Sequence, residues 1–266
     1  MRTRTTDDPS RRSRAVSETI GFVFAFALVT ASVGMVYTTG IGGLEDARED
    51  EQLTNAVRAF DVLHDNVEDV RREDAPSRAT ELKLSESTLK FGDPIRIEVQ
   101  VNNTATDANE TYATTTSPLV YDAPAGEVVY SAGATFRVDD GNAVMRNEPG
   151  LILDESSPNT SVVPLLTVFP RGSGGGLGGS STVLVVAYRQ DVGLDGQFVT
   201  GTDPADADAR VNVTVQSPRA DAWGRYFEQK GMKRINETSG EGQVTYQFHT
   251  DRLLVPKTVI EIEFNR

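Results

Sequence analysis

Cysteine is absent from this 266-residue chain. Disulfide frameworks, thiolate zinc sites, Cys nucleophiles and iron–sulfur clusters are therefore excluded together. Histidine occurs only as His64 and His249, far apart in the chain, so no multi-histidine metal site can be built from one copy. Lysine is nearly missing too: five Lys stand against 21 Arg, while Asp and Glu total 39 and the net charge is −13. That balance excludes nucleic acid as the main partner, because a phosphate backbone repels such a surface. Scarce lysine with abundant carboxylate is the composition of a salt-adapted protein, since in molar salt the Debye length falls to about 3 Å and carboxylates repel one another weakly. The sequence also lacks a Gly-x-Ser-x-Gly elbow and a His-Glu-x-x-His pair, and nothing in it calls for a cofactor, a bound metal or an enzymatic role. Charge is missing locally as well: positions 20 to 44 carry none.

That uncharged segment decides the compartment. Five Arg fall within the first fourteen residues, and the run Ile20 to Tyr37 follows. As a helix this run spans about 27 Å, close to the ~30 Å hydrocarbon core of a bilayer. Arginines before it and the acidic stretch Glu45-Asp46-Ala47-Arg48-Glu49-Asp50-Glu51 after it place the N-terminus in the cytoplasm and the bulk of the chain outside, in a single pass. A removed secretory signal is the competing reading, for which Ala31-Ser32-Val33 and Thr39-Gly40-Ile41-Gly42 are only loose cleavage sites.

Arg14-Ala15 followed by Val16-Ser17-Glu18-Thr19-Ile20-Gly21 resembles the class III signal of haloarchaeal type IV pilin-like and archaellin-like membrane proteins. The resemblance covers roughly the first 75 residues. It implies a prepilin-type peptidase as partner, a cut between Ala15 and Val16, and retention of the hydrophobic helix. Loss of the leader removes five Arg and two Asp and takes the charge to −16. The resemblance further implies a helix that anchors the precursor and can pack into a filament core with other pilin-like subunits. Glu18, third in the mature chain, then either pairs with a new N-terminal amine or sits at headgroup level. The pattern is inexact: related chains commonly carry Ser-Pro-Val-Ile-Gly where this one has Ser17-Glu18-Thr19-Ile20-Gly21.

Beyond the membrane run, Gly40, Gly42 and Gly43 predict a kink or break, each costing about 1 kcal/mol against Ala in a helix. Leu53, Val57, Phe60, Leu63, Val67 and Val70 then recur at three- and four-residue steps, an amphipathic stem ending near Pro76. Its stripe covers either the protein's own head or a neighbouring stem. From Thr80 the period changes to two. Glu81–Ser85 and Ile95–Val101 read as a hairpin about Gly92-Asp93-Pro94, with further strands at 127–130, 134–138, 162–168, 182–188, 210–215, 244–249 and 258–264. Ser217-Pro218 opens a short helix to Lys230, with Trp223, Tyr226 and Phe227 facing the core.

The expected fold is α+β: a cleaved basic leader (1–15), a membrane helix (16–44), an amphipathic stem (45–76) and a mainly antiparallel, β-sandwich-like extracellular head (77–266). Gly172–Gly179 lacks the Lys-Ser/Thr pair and the following helix of a phosphate loop and reads as a strand connection. Asp191, Asp195, Asp203, Asp206 and Asp208 form an acidic stretch without Ca²⁺-loop spacing, read as solvated surface. Five Asn-x-Ser/Thr sequons, at Asn102, Asn109, Asn159, Asn212 and Asn236, exceed the roughly two that composition alone supplies and are candidate glycan acceptors on an exported domain. Two functional readings remain: a pilin-like structural subunit of the cell surface, membrane-anchored and able to assemble into a type IV pilus-like filament for adhesion or surface interaction, and a monomeric single-pass membrane-anchored extracellular binding module that forms no filament.

Overall fold

The computed structural model describes residues 9–73, 75–103, 109–154, 159–172, 174–199, 209–235 and 242–266. It divides into two units, Met1–Asp50 and Glu51–Arg266. Helix α1 (Pro9–Arg72) opens the chain, followed by β1 (Ser77–Lys83), β2 (Ser87–Phe91), β3 (Ile95–Asn103), β4 (Asn109–Thr116), β5 (Leu119–Ala123), β6 (Gly126–Ser131), β7 (Ala134–Asp139) and β8 (Asn142–Asn147). Then come β9 (Ile152–Leu153), β10 (Thr160–Val162), β11 (Leu165–Pro170), β12 (Leu177–Gly179), β13 (Thr182–Val199), β14 (Ala209–Gln216), α2 (Ala220–Gln229), β15 (Lys233–Arg234), β16 (Gln243–Thr250) and β17 (Arg252–Asn265). The class is α+β, with a long N-terminal helix and a mostly antiparallel β-rich body.

In the first unit α1 is helical without interruption through Gly40–Gly43. The expected break does not occur: a cost of about 1 kcal/mol per glycine is small beside the cooperativity that holds both flanks helical.

In the second unit the strands form three sheets. Sheet A runs β1-β13-β17-β10-β9 with β11 also on β17; sheet B runs β12-β2-β5-β6-β7-β8; sheet C runs β15-β16-β14-β3-β4. Among the described strands only β10 and β11 lie parallel to their partner β17. Two apolar clusters result. One gathers the inward residues of β3, β14 and β16 (Val99, Val213, Tyr246) with Trp223, Tyr226 and Phe227 of α2 and Val129 and Phe136 from sheet B. The other joins Leu119, Tyr121, Val128 and Tyr130 of sheet B to Val183, Val185, Ile260 and Ile262 of sheet A. Sheet B thus feeds both clusters, one from each face.

The second cluster is completed by α1. Leu53, Ala56, Val57, Phe60, Leu63, Val67 and Val70 are all buried within it, Phe60 and Val70 to 0% exposure. The stem stripe therefore packs on the protein's own head, and from Glu51 onward the helix belongs to the same unit as the strands. At about 1.5–3 kcal/mol for each fully buried large side chain, the stripe contributes on the order of 10 kcal/mol before entropy is subtracted. Polar contacts fix the helix at its sides: Asn66 Nδ2 donates to Thr80 Oγ1 at 2.9 Å, and Arg71 Nη1 donates to the Pro149 carbonyl at 3.3 Å.

Several expected elements differ. β1 and β3 are not a hairpin: β1 pairs with β13 and β3 with β14 and β4. The 162–168 strand is two, because Pro164 cannot donate to a ladder. α2 begins at Ala220, after Pro218, and Ser217 Oγ instead accepts from the Arg219 N–H at 3.1 Å, closing a turn. The glycine-rich connection is not wholly a loop, since its last three residues, Leu177–Gly179, form strand β12 on β2. Asp191 and Asp195 lie inside β13, at its two bulges against β17; Asp203, Asp206 and Asp208 lie outside the described residues. The second bulge brings Gly196 against the Tyr112 ring, where any Cβ would collide with it.

Replacing Phe60 with Ala should cost about 3–5 kcal/mol through cavity formation, whereas Val62→Ala, at a 52% exposed position, should stay within about 0.5 kcal/mol. Guanidinium unfolding of the full chain in detergent checks this; equal effects would mean the stripe is not packed on the head.

Candidate functional site

Among the described residues, one helix is long and apolar enough to cross a membrane, with an 18-residue window of mean hydropathy 2.1 and none of it buried. Its large side chains point outward, Phe24 being 72% exposed. Its hydroxyls are satisfied by the helix itself: Thr30, Ser32 and Thr39 donate to the carbonyls of Phe26, Leu28 and Met35 at 2.8, 2.7 and 2.7 Å. Such back-bonding turns these hydroxyl hydrogens away from an apolar medium. Ala15, Val16 and Glu18 lie within α1, but their side chains fall outside the described part of the structure.

A second feature emerges from sheet C. Alternation in β3, β14 and β16 sends Val, Ile and aromatic residues inward and leaves an outer face built of amides and hydroxyls. Register aligns these outward residues in rows: Asn109, Asn102, Arg210 and His249; Thr111, Gln100, Asn212 and Gln247; Thr115, Arg96, Gln216 and Gln243. Neighbours bond across the rows. Gln247 Nε2 donates to Asn212 Oδ1 at 2.9 Å, Gln216 Nε2 to Gln243 Oε1 at 3.0 Å, and Asn102 Nδ2 to Asn109 Oδ1 at 2.7 Å. The only carboxylate in the outer rows of β3, β14 and β16, Glu98, is engaged by Arg96 at 2.9 Å and Gln100 at 2.7 Å. In a chain of net charge −13 this face departs from the prevailing acidity. Two shallow grooves lie on it, of about 330 Å³ beside Asn102, Asn109 and Arg210 and about 180 Å³ beside Arg96 and Gln216. The face is hidden from sequence reading because its rows join residues more than a hundred positions apart.

The sequons separate by environment. Asn102, Asn109 and Asn212 share this outer face. Asn159 is a loop clamp: its N–H donates to Asp251 Oδ2 at 2.8 Å, its Oδ1 accepts from the Asp251 N–H at 2.6 Å, and its sequon hydroxyl, Ser161, is 1% exposed. Asn236 lies outside the described residues.

A buried polar group sits where α1 meets sheet B. Glu68 Oε2 accepts from Arg71 at 2.6 Å and Arg72 at 2.8 Å. The Tyr130 hydroxyl and His64 Nδ1 are buried without a hydrogen-bond partner among the described residues, and their rings meet edge-on at 6.3 Å. Arg71 and Arg72 also press on Gly150, whose φ of +84° and a Cβ distance of only 2.9 Å to Arg71 Nη2 admit glycine alone without strain. Burial lowers the His64 pKa from 6.5, and Arg71 adds to this, against opposing contributions from Glu68, Asp65 and Asp61. Among the described residues no group of three or more His, Asp or Glu is placed to hold a metal ion.

A family model described as a family of unknown function, DUF7289, matches residues 14–263. The chain belongs to this family. The match takes in the apolar helix and the β-rich body together. No curated protein matches. The crystal structure of the ywiB protein from Bacillus subtilis is similar at 10% identity over 62% of this chain and 90% of that one, with a TM-score of 0.15, too low to bear on fold or function.

His64 sets a pH dependence whose sign follows from its lowered value. The unfolded chain takes up this proton near 6.5 and the folded chain only at lower pH, so stability is whole above about pH 6.5 and declines as pH falls through that value toward the folded one. His64→Gln should flatten the stability difference between about pH 7.5 and 5.5 in urea titrations; an unchanged slope would assign it to carboxylates instead.

Proposed function

We propose that the chain is a pilin-like, membrane-anchored cell-surface subunit whose β-rich head faces the exterior. The observation that carries this reading is the exposed, self-satisfied apolar segment of α1, continuous in sequence with a β-rich head whose second apolar cluster the same helix completes. The family match spans helix and head together, and the leader arginines support an inward N-terminus. In this reading a prepilin-type peptidase cuts between Ala15 and Val16, the helix stays in the bilayer, and Glu18 meets the new amine of its own or a neighbouring chain. Assembly with other pilin-like subunits would rest on the apolar segment 20–44, because the stem stripe is already occupied by the head. The composition fits a haloarchaeal, salt-adapted surface protein, and a β-sandwich-like description suits the packed sheets of the head.

A second reading, a monomeric membrane-anchored binding module, is favoured by one observation. The outer face of sheet C is polar, ordered by side-chain pairs and poor in the carboxylates that dominate the chain's composition, as a surface that meets a partner would be.

Mass spectrometry of the mature protein should find Val16 as the first residue; a terminus at Met1, or one beyond Gly40, would sink the processing step. Recovery in sheared surface fractions is expected for a filament subunit, and recovery with membranes alone would select the binding module.

A further inference from the structure

The sequons are equivalent in sequence, and those among the described residues differ in structure. Asn212 lies in the central strand of sheet C, partly covered, with its Oδ1 held by Gln247 and its sequon hydroxyl, Thr214, paired with Thr245 at 3.0 Å. Asn159 is locked into a reciprocal pair with Asp251, and Ser161 is buried. Asn102 is partly covered and its Nδ2, the atom a sugar would join, is donated to Asn109 Oδ1. Asn109, Glu110 and Thr111 are different: all three are exposed, and they open β4, an edge strand of sheet C. Among the described sequons only this one is exposed along its whole length. A transferase must reach the Asn side chain and the hydroxyl two residues on, so exposure of both is the physical requirement.

A second observation points the same way. The larger groove of sheet C, about 330 Å³, begins at Asn109 and is lined by Gln100, Asn102, Glu110, Thr111, Arg210 and Asn212. Amides, a hydroxyl and a guanidinium offer both donors and acceptors to a polyhydroxylated chain. We infer that Asn109 is, among the described sequons, the N-glycosylated one and that the proximal sugars lie along this groove. The inference rests on the extracellular placement of the head given above. The co-substrate is an oligosaccharide activated on a lipid phosphate. Asn109 Nδ2 forms a bond to the anomeric carbon, the carbon–oxygen bond to phosphate breaks, the amide proton passes to a base of the transferase, and the lipid phosphate leaves with the bonding electrons. Asn102, directly opposite at the same register position, is then shielded, so the pair carries one glycan at most.

The test uses the full chain expressed in a host that N-glycosylates its surface proteins, with protease shaving of intact cells run in parallel. Glycopeptide mass spectrometry should find the peptide containing Asn109 occupied. Asn109→Gln and Thr111→Ala should each abolish its occupancy, while Thr111→Ser and Asn102→Gln retain it. A shaved, accessible head whose Asn109 peptide is only bare overturns the glycosylation while leaving the placement intact. A head protected from protease overturns both.

Discussion

The seam between one helix face and two sheets governs this molecule. Seven side chains of α1, from Leu53 to Val70, seal the cluster that sheets A and B would otherwise present to water. Removing that helix would take seven apolar side chains out of a cluster shared with Leu119, Tyr121, Tyr130 and Val183 and open apolar surface that a small soluble domain does not leave exposed. The helix that carries the apolar run is therefore, in its second half, a core element of the head. Polar contacts refine its seating, with Asn66 on β1 and Arg71 on the loop after β8, but the seam itself is apolar and non-directional. Its complement is sheet B, which must satisfy apolar demand on both faces.

That double burial explains what the sequence makes legible and what it hides. β3 reads correctly because only one of its faces is buried, giving strict alternation from Ile95 to Asn103. In β5 and β6, Leu119-Val120-Tyr121 and Val128-Val129-Tyr130 are buried in succession, and the two-residue period that marks a half-buried strand is erased. β5 is accordingly invisible to periodicity. Pairing is harder still. Gly92-Asp93-Pro94 has turn chemistry, yet turn residues specify a bend and not a partner, and β1 finds its partner in β13, about a hundred residues away. The stem's stripe is plain at its three- and four-residue spacing; whether it faces its own head or another stem is not, since an amphipathic pattern records that a face is covered and is silent on what covers it. The same holds for the sequons, whose three-residue pattern is blind to the clamp at Asn159 and the open edge at Asn109.

The two faces of sheet C divide labour. Inward, Val, Ile and aromatic residues meet α2, whose Trp223, Tyr226 and Phe227 pack ring against ring with one another and with Tyr246. Outward, paired amides hold a regular polar surface without the electrostatic repulsion that a carboxylate-covered sheet would carry. Side chains that satisfy one another lose less freedom on meeting a partner, which is the common ground between a surface for a bound partner and one for an attached glycan.

β17 enters both clusters, placing Leu253 and Val255 in one and Ile260 and Ile262 in the other, and it pairs with β13, β10 and β11. All of those partners precede it in the chain. A ribosome, which delivers the chain from its N-terminus, thus releases sheet A with an unfilled central lane, and neither cluster can close until β17 arrives. Formation of the head is consequently a late, non-local event, and during synthesis the long β13 edge is the part that needs protection from pairing with a neighbouring nascent chain.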